Sequence, residues 1–480
     1  MNNIDLLYKN PEPDIYRDDK LIENLLISEA AELFCVNKPR RDYFLKILSQ
    51  PLTIMENINY RREILSDLLA DENSLTKYEN AFGELVALRA EKSRERVFNL
   101  KSRQGIDEWE TMRHTRMTLK MGANSLLETI TCIKATAGKI SNTNPKSEGL
   151  CTLLERLNSI CQSVQLRDIE SICTTFDAIS EADDFTLRMN LNETAKIISA
   201  SISDISRKVK TAKSLFNIKL PRSNNIVKVA DPFNTLRTDM LIHAFNEMSD
   251  LFLRVQSAIF SEFAGIPEQL QFYHAAFDYV TALNNAQYYS TFPVFTNGET
   301  AIKNMRNLTL AVKGKCDVIP NDFTSESKQS TIIRGTNNAG KTVYLRGIAV
   351  VQLFAQAGLP VIADHAELPI VNGIYSQFAA AEIDSNFAVN AAGRFEEEVR
   401  MFAEYLENIP SNSLLLLNES FQSTAYNEAA ECIYPLLKVF MKRDIRFIFV
   451  THIDKITELL STDNTQIYVV ESDHKTRRMQ

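Results

Sequence analysis

Glycine is scarce in this chain: 14 of 480 residues. No stretch reaches the ~18 uninterrupted apolar residues that a membrane-crossing helix needs. The opening Met1-Asn2-Asn3-Ile4-Asp5-Leu6-Leu7 has none of the layout of a secretory signal. Together these absences predict a cytoplasmic protein with no membrane partner. The seven cysteines include no C-x-x-C pair and no neighbouring histidine cluster, which excludes a zinc ribbon and a disulfide framework and predicts reduced, mostly buried thiols. A formal net charge of −8 excludes a surface coated in basic residues.

Hydrophobic content of 45% with 24% charged residues is that of an ordinary globular protein, long enough for two to four domains. Residues 1–320 carry few glycines and read mainly as long helices. Leu150, Leu153, Leu154, Leu157, Ile160, Cys161 and Val164 fall on one helical stripe. Leu241, Phe245, Met248, Phe252, Val255 and Ile259 follow the heptad period of a helix packed lengthwise on another, bounded by Pro232 and Gly265 to Pro267. Both stripes predict core packing and no chemistry. The charge is uneven: residues 81–230 sum to about +6 against about −14 for the rest. Within 205–230 lie seven basic residues and no acidic one, among them Arg207, Lys208, Lys210 and Lys213. Such a run is either a solvated face or a surface that meets nucleic-acid phosphates.

From about residue 330 the pattern changes to short apolar strands (331–335, 360–363, 413–418, 445–450, 466–470) alternating with helices (341–357, 394–408, 424–442, 453–460). That alternation predicts a mostly parallel sheet covered by helices. The first strand runs into Gly335-Thr336-Asn337-Asn338-Ala339-Gly340-Lys341-Thr342, a G-x-x-x-x-G-K-T string followed by a helix. This is the pattern of a P-loop. Backbone N–H groups and the helix N-terminus converge on a polyphosphate, the lysine reaches its β and γ phosphates, and the threonine hydroxyl binds Mg²⁺. ATP and Mg²⁺ are the cofactors this predicts.

Two further strand ends carry polar residues. Leu414-Leu415-Leu416-Leu417 delivers Asn418 and Glu419, the place where an amide or carboxylate orders a Mg²⁺ shell and a glutamate orients an attacking water. Phe447-Ile448-Phe449-Val450 ends in Thr451-His452, where a histidine can contact the γ-phosphate and sense its loss. The structural alternatives are a partnered carboxylate and a helix-capping Thr-His pair.

These stretches, in this order, resemble the MutS mismatch-repair ATPases, a branch of the ABC ATPases. The resemblance rests on Val318-Ile319-Pro320-Asn321-Asp322, the string from Gly335 to Arg346, Ala355-Gln356-Ala357-Gly358-Leu359-Pro360-Val361-Ile362-Ala363, Leu414 to Glu419, and Phe449-Val450-Thr451-His452. A weaker match, Phe44 to Leu52 followed by Ile58-Asn59-Tyr60-Arg61-Arg62-Glu63, looks like the start of the family's helical core. There are departures. The usual Asp-Glu pair is Asn418-Glu419, so the site has lost a negative charge and turnover is expected to be slow. The trans-acting Ser-Thr is absent, since Gly393-Arg394 is followed by Phe395-Glu396-Glu397-Glu398. The loop normally spelled Gly-Arg-Gly-Thr is Phe421-Gln422-Ser423-Thr424. The mismatch-reading domain with its Phe-x-Glu wedge has no counterpart, because Phe82-Gly83-Glu84 follows the core match; nor does a nuclease motif follow the last strand.

The expected architecture is α/β plus all-α: a helical core with lever and clamp at 1–320, and a P-loop, ABC-type ATPase domain with a mostly parallel sheet at 321–480. The resemblance implies a homodimer through the ATPase domains and movement of helical arms around duplex DNA, with repair proteins as further partners. A different class of reading is a nucleotide-gated protein-interaction ATPase with weak hydrolysis and no direct mismatch recognition.

Overall fold

A computed structural model describes residues 4–71, 73–100, 108–180, 184–191, 197–206, 232–314, 317–336, 339–378, 391–421, 426–461 and 467–471. The chain forms two compact units. One comprises Met1–Ile4, Thr76–Pro145 and Cys151–Pro267, and the other Asp5–Leu75, Lys146–Leu150 and Glu268–Gln480. These units do not follow the change of sequence pattern at residue 320.

The first unit is built on long helices, including Glu108–Ser141, Val164–Ser180 and Pro232–Glu262. The heptad residues do what their spacing predicts: Phe245, Met248, Phe252 and Ile259 are buried. Helix Pro232–Glu262 lies along helix Glu108–Ser141, and Gln256 Nε2 ties the two by donating to Ser125 Oγ at 2.8 Å and Thr129 Oγ1 at 2.9 Å. The stripe at 150–164 is shorter than expected. Helix Glu148–Gln162 buries Leu150, Leu153 and Leu157, but Val164 is 69% exposed and starts the next helix. Ser163 causes the break, because its Oγ accepts the Leu166 N–H at 3.2 Å and so caps the following helix. The helical expectation for residues 1–320 also needs correction at 294–305, where two strands of a mixed sheet lie, and at 184–206, where β1 (Asp184–Leu191) and β2 (Ile197–Ser206) pair antiparallel. Isoleucines spaced through Ile197-Ile198-Ser199-Ala200-Ser201-Ile202 favour strand over helix, and a low glycine count does not register that preference.

The second unit holds two sheets. Strands β3 (Val294–Thr296), β4 (Thr300–Met305), β5 (Asn321–Ser325) and β7 (His365–Pro369) form a mixed sheet in the order β3-β7-β4-β5. Strands β6 (Ser330–Arg334), β8 (Ile374–Phe378), β9 (Ser413–Asn418), β10 (Ile445–Val450) and β11 (Ile467–Glu471) form a wholly parallel sheet, ordered β11-β6-β10-β9-β8. The described fold is thus mixed helical and α/β with a mostly parallel sheet. Residues 360–363, expected as a strand, make only the isolated bridge Thr291–Val361; β7 and β8 follow instead. Both faces of β9 and β10 are buried, as their unbroken apolar runs require. Helices Ala391–Asn408 and Tyr426–Lys442 supply Phe402, Ile433, Leu437 and Phe440 to the core on one side.

Two polar clusters fasten this unit. Gln356, buried at the end of helix Lys341–Gln356, donates from Nε2 to Leu52 O at 2.7 Å and Val371 O at 2.8 Å, while its Oε1 accepts from Val371 N at 3.0 Å. Edge strand β8 is covered by the N-terminal segment. Asp18 Oδ2 accepts from Ser376 N at 2.6 Å and Ser376 Oγ at 2.7 Å, Asn24 Nδ2 donates to Ser376 Oγ at 2.9 Å, and Tyr16 stacks on Tyr375 at 5.8 Å. Of the six described thiols only Cys35 and Cys173 are buried, Cys432 is exposed and the other three are half-buried, so the expectation of mostly buried thiols holds for two; Cys316 lies outside the described residues. Among the described residues no helix is long and apolar enough to cross a membrane.

Candidate functional site

Strand β6 ends at Arg334 and is followed by Gly335 and Thr336; Ala339 and Gly340 lead into helix Lys341–Gln356. Gly340 is the N-cap at φ +94°, a conformation that a side chain would strain, and its carbonyl accepts the Tyr344 N–H at 2.9 Å to start the helix. Lys341 is 5% exposed, and its ammonium folds back to donate to Gly335 O at 2.9 Å and Thr336 O at 2.8 Å. Burial holds its pKa below the usual lysine value, and the Glu419 carboxylate works the other way. A buried ammonium on neutral carbonyls is a cation with unspent attraction for an anion.

Beside it, Thr342 Oγ1 donates to Asn418 Oδ1 at 3.1 Å, and Asn418 is fully buried at the end of β9. The chain then turns sharply: Glu419 at φ +56° and Phe421 at φ +64° both sit in the left-handed region. The Glu419 N–H donates to Val450 O at 2.9 Å, carrying the β9–β10 pairing one residue past the strand. This turn leaves the Glu419 carboxylate 3.0 Å from His452 Nε2, with both side chains about a quarter exposed. Thr451 N–H donates to Ile333 O at 3.2 Å, and Thr451 Oγ1 accepts from Ile453 N at 3.0 Å, so the threonine fixes the loop while the histidine faces the glutamate.

The structure therefore brings Lys341, Thr342, Asn418, Glu419 and His452 to the C-terminal ends of three adjacent strands, β6, β10 and β9, where open parallel sheets bind ligands. Asn337 and Asn338 lie outside the described residues, as do Arg207, Lys208, Lys210 and Lys213. Gln377, which accepts the Ser420 hydroxyl, escaped sequence reasoning, and Glu398, whose Oε2 accepts the Phe421 N–H at 2.7 Å, and Phe421 itself were noted only as departures, without a role. A hollow lined by Met305, Leu310, Val318, Ile319, Val343 and Tyr344 opens beside Gly340. Its signal lay in Val318 to Asp322, a stretch noted only for its resemblance. Among the described residues no three His, Cys, Asp or Glu side chains gather to hold a metal ion. The oxygens of Thr342 and Asn418 suit a hard cation that keeps waters and borrows phosphate oxygens, as Mg²⁺ does.

Residues 331–479 match the family model described as MutS domain V. The human DNA mismatch repair protein Msh3 is 31% identical over 172 residues, covering 35% of this chain and 15% of that protein. The DNA mismatch repair protein MSH3 of Saccharomyces cerevisiae is 28% identical over 256 residues, 49% of this chain and 24% of the relative. The DNA mismatch repair protein MutS of Clostridium perfringens is 30% identical over 169 residues, 34% and 18% respectively. The matched stretch spans about a quarter or less of each of these relatives.

Proposed function

We propose, from the match of residues 331–479 to the MutS domain V family model, that the chain binds and hydrolyses ATP and uses the nucleotide to act on duplex DNA in mismatch repair. The observation that carries this reading is Lys341, a buried ammonium that donates to the Gly335 and Thr336 carbonyls, at the head of a helix and beside Glu419. Its attraction is strongest for a polyphosphate, and the N–H groups that open helix Lys341–Gln356 add to it. Thr342 and Asn418 are the residues that would hold a Mg²⁺ shell. The ion, when bound, neutralises charge on the phosphates. Glu419 accepts a proton from, and orients, the attacking water. His452, its partner at 3.0 Å, steadies that carboxylate and registers the loss of the γ-phosphate. The apolar hollow at Met305, Val318 and Tyr344, which also touches Gly340, receives the nucleobase in this reading. In this reading ATPase domains pair as a homodimer, the helical part at 1–320 forms core and lever arms, and nucleotide state moves those arms on DNA beside other repair proteins.

The test is Lys341→Ala. It should abolish binding of a fluorescent ATP analogue while the far-UV circular dichroism and melting curve stay close to wild type; unchanged nucleotide affinity in that variant would overturn the assignment.

One observation favours a second reading. Asn418 is fully buried and neutral where a carboxylate would strengthen Mg²⁺, which suits a slow, nucleotide-gated protein-interaction ATPase. Binding to duplex DNA across a salt series separates the two, because phosphate contacts release counterions and give a steep slope, whereas an indifferent protein gives none.

A further inference from the structure

The turn that presents Glu419 is strained and has to be held. Two residues out of three, Glu419 and Phe421, lie at positive φ without being glycine, each a conformation that persists only where surrounding contacts over-determine it. Beyond the Glu419 N–H bond to Val450 O, side chains contribute contacts that do so. The Ser420 hydroxyl donates to Gln377 of β8; the Phe421 ring is buried against Phe402, centroids 5.2 Å apart; and the Phe421 N–H donates to Glu398 Oε2 at 2.7 Å. Only the last comes from a charged side chain. Glu398 stands third in the run Glu396-Glu397-Glu398, yet it alone is half-buried while its two neighbours are exposed. Helix phase turns it inward to the turn. A carboxylate accepting one backbone N–H at 2.7 Å makes a short, charge-assisted bond, stronger than a neutral one.

We infer that Glu398 is a positioning residue for Glu419. By holding the Phe421 N–H it locks the 419–421 turn and so fixes the glutamate carboxylate against His452. The role rests on the ATPase reading given above, but its geometry does not: the acceptor, the strained turn and the Glu419–His452 pair are one connected set. Loss of the bond frees the turn to relax toward ordinary φ, and a carboxylate displaced by about 1 Å costs on the order of 10²-fold in rate when it must aim a water. Binding of the nucleotide, which uses Lys341 and the helix start, is untouched.

The test uses the full chain with Glu398→Ala, Glu398→Gln and Glu419→Gln. Glu398→Ala should lower kcat by about 10²-fold with KM for ATP within about twofold. Glu398→Gln keeps an acceptor oxygen and should recover most of the rate. A second readout needs no turnover: the ring resonances of His452, assigned by comparison with His452→Gln, should move in Glu398→Ala toward their positions in Glu419→Gln, while the melting curve confirms folding. Wild-type kcat together with unshifted His452 resonances in Glu398→Ala overturns the inference; equal loss in the Gln and Ala variants overturns the acceptor role. If Glu419→Gln itself turned over at the wild-type rate, the catalytic reading would fall, and the His452 resonances would still decide whether Glu398 holds the turn.

Discussion

Replacing Asn418 by Asp has opposite consequences for the free and the nucleotide-bound protein. Asn418 is fully buried, and its Oδ1 accepts from the neutral Thr342 hydroxyl. The Lys341 ammonium at the site is engaged with the Gly335 and Thr336 carbonyls. A carboxylate at this position is therefore desolvated with weak compensation, which costs about 1–3 kcal/mol in the free protein. In a unit of this size that lowers Tm by roughly 2–12 °C, at about 2–4 °C per kcal/mol. With Mg²⁺ and ATP present the added charge sits beside a divalent ion and strengthens binding. A tenfold tightening adds about 1.4 kcal/mol of ligand-dependent stabilisation at saturating concentrations, or about 3–6 °C of extra shift. Thermal melts of wild type and Asn418→Asp, each with and without MgATP, should therefore differ in sign: the variant melts lower when free and gains more on binding. Turnover at saturating Mg²⁺ should rise with it. Identical free-state Tm and identical ligand shifts would mean that Asn418 does not face the metal shell, and the role given to it would be withdrawn.

Three further outcomes follow from other parts of the molecule. Gln356→Leu leaves the Leu52 and Val371 carbonyls and the Val371 N–H without their buried partner, so urea unfolding should show a loss of about 3 kcal/mol or more; a loss under about 1 kcal/mol would show the network to be dispensable. Burial holds the Asp18 carboxyl above its ordinary value, against the pull of its Ser376 hydrogen bonds. The native state then keeps a proton that the unfolded chain has released, so this group's contribution to stability falls as pH rises from the ordinary carboxylate range through the raised value. The stability difference between wild type and Asp18→Asn, measured by denaturant titration from pH 4 to 7, should change in that direction, and a flat difference would remove Asp18 as the cause. Finally, if the basic run meets DNA phosphates, replacing Lys208, Lys210 and Lys213 together by Gln should flatten the slope of log affinity against log salt by up to about three units, roughly 0.9 for each contact; an unchanged slope in a folded variant marks the run as a solvated face.

What could be read from the sequence, and what could not, divides by the distance between partners along the chain. Strands β9 and β10 are buried on both faces, so Leu414 to Leu417 and Phe447 to Val450 announce themselves as unbroken apolar runs, and their observed limits coincide with the predicted 413–418 and 445–450. The polar residues that close those runs, Asn418-Glu419 and Thr451-His452, stand out for the same reason, and with the Gly335–Thr342 string they define one edge of one sheet. Edge strand β8 is as deeply buried but carries Ser376 and Gln377 at fully buried positions, which breaks the apolar pattern. Those positions are tolerable only because Asp18 and Asn24 reach Ser376 from 358 and 352 residues away, and Ser420 meets Gln377 from 43. No local window contains that compensation. Glu398 is the sharpest case. In sequence it is one of three consecutive glutamates, and the textual departure at Phe395 to Glu398 reads as a loss of function. In the folded chain a rotation of about 100° per residue exposes Glu396 and Glu397 and delivers Glu398 to the Phe421 N–H. The polar groups of the candidate site were legible because strand ends display them; Glu398 was not, because a helix selects it by phase and its partner is a backbone N–H that every residue but proline possesses.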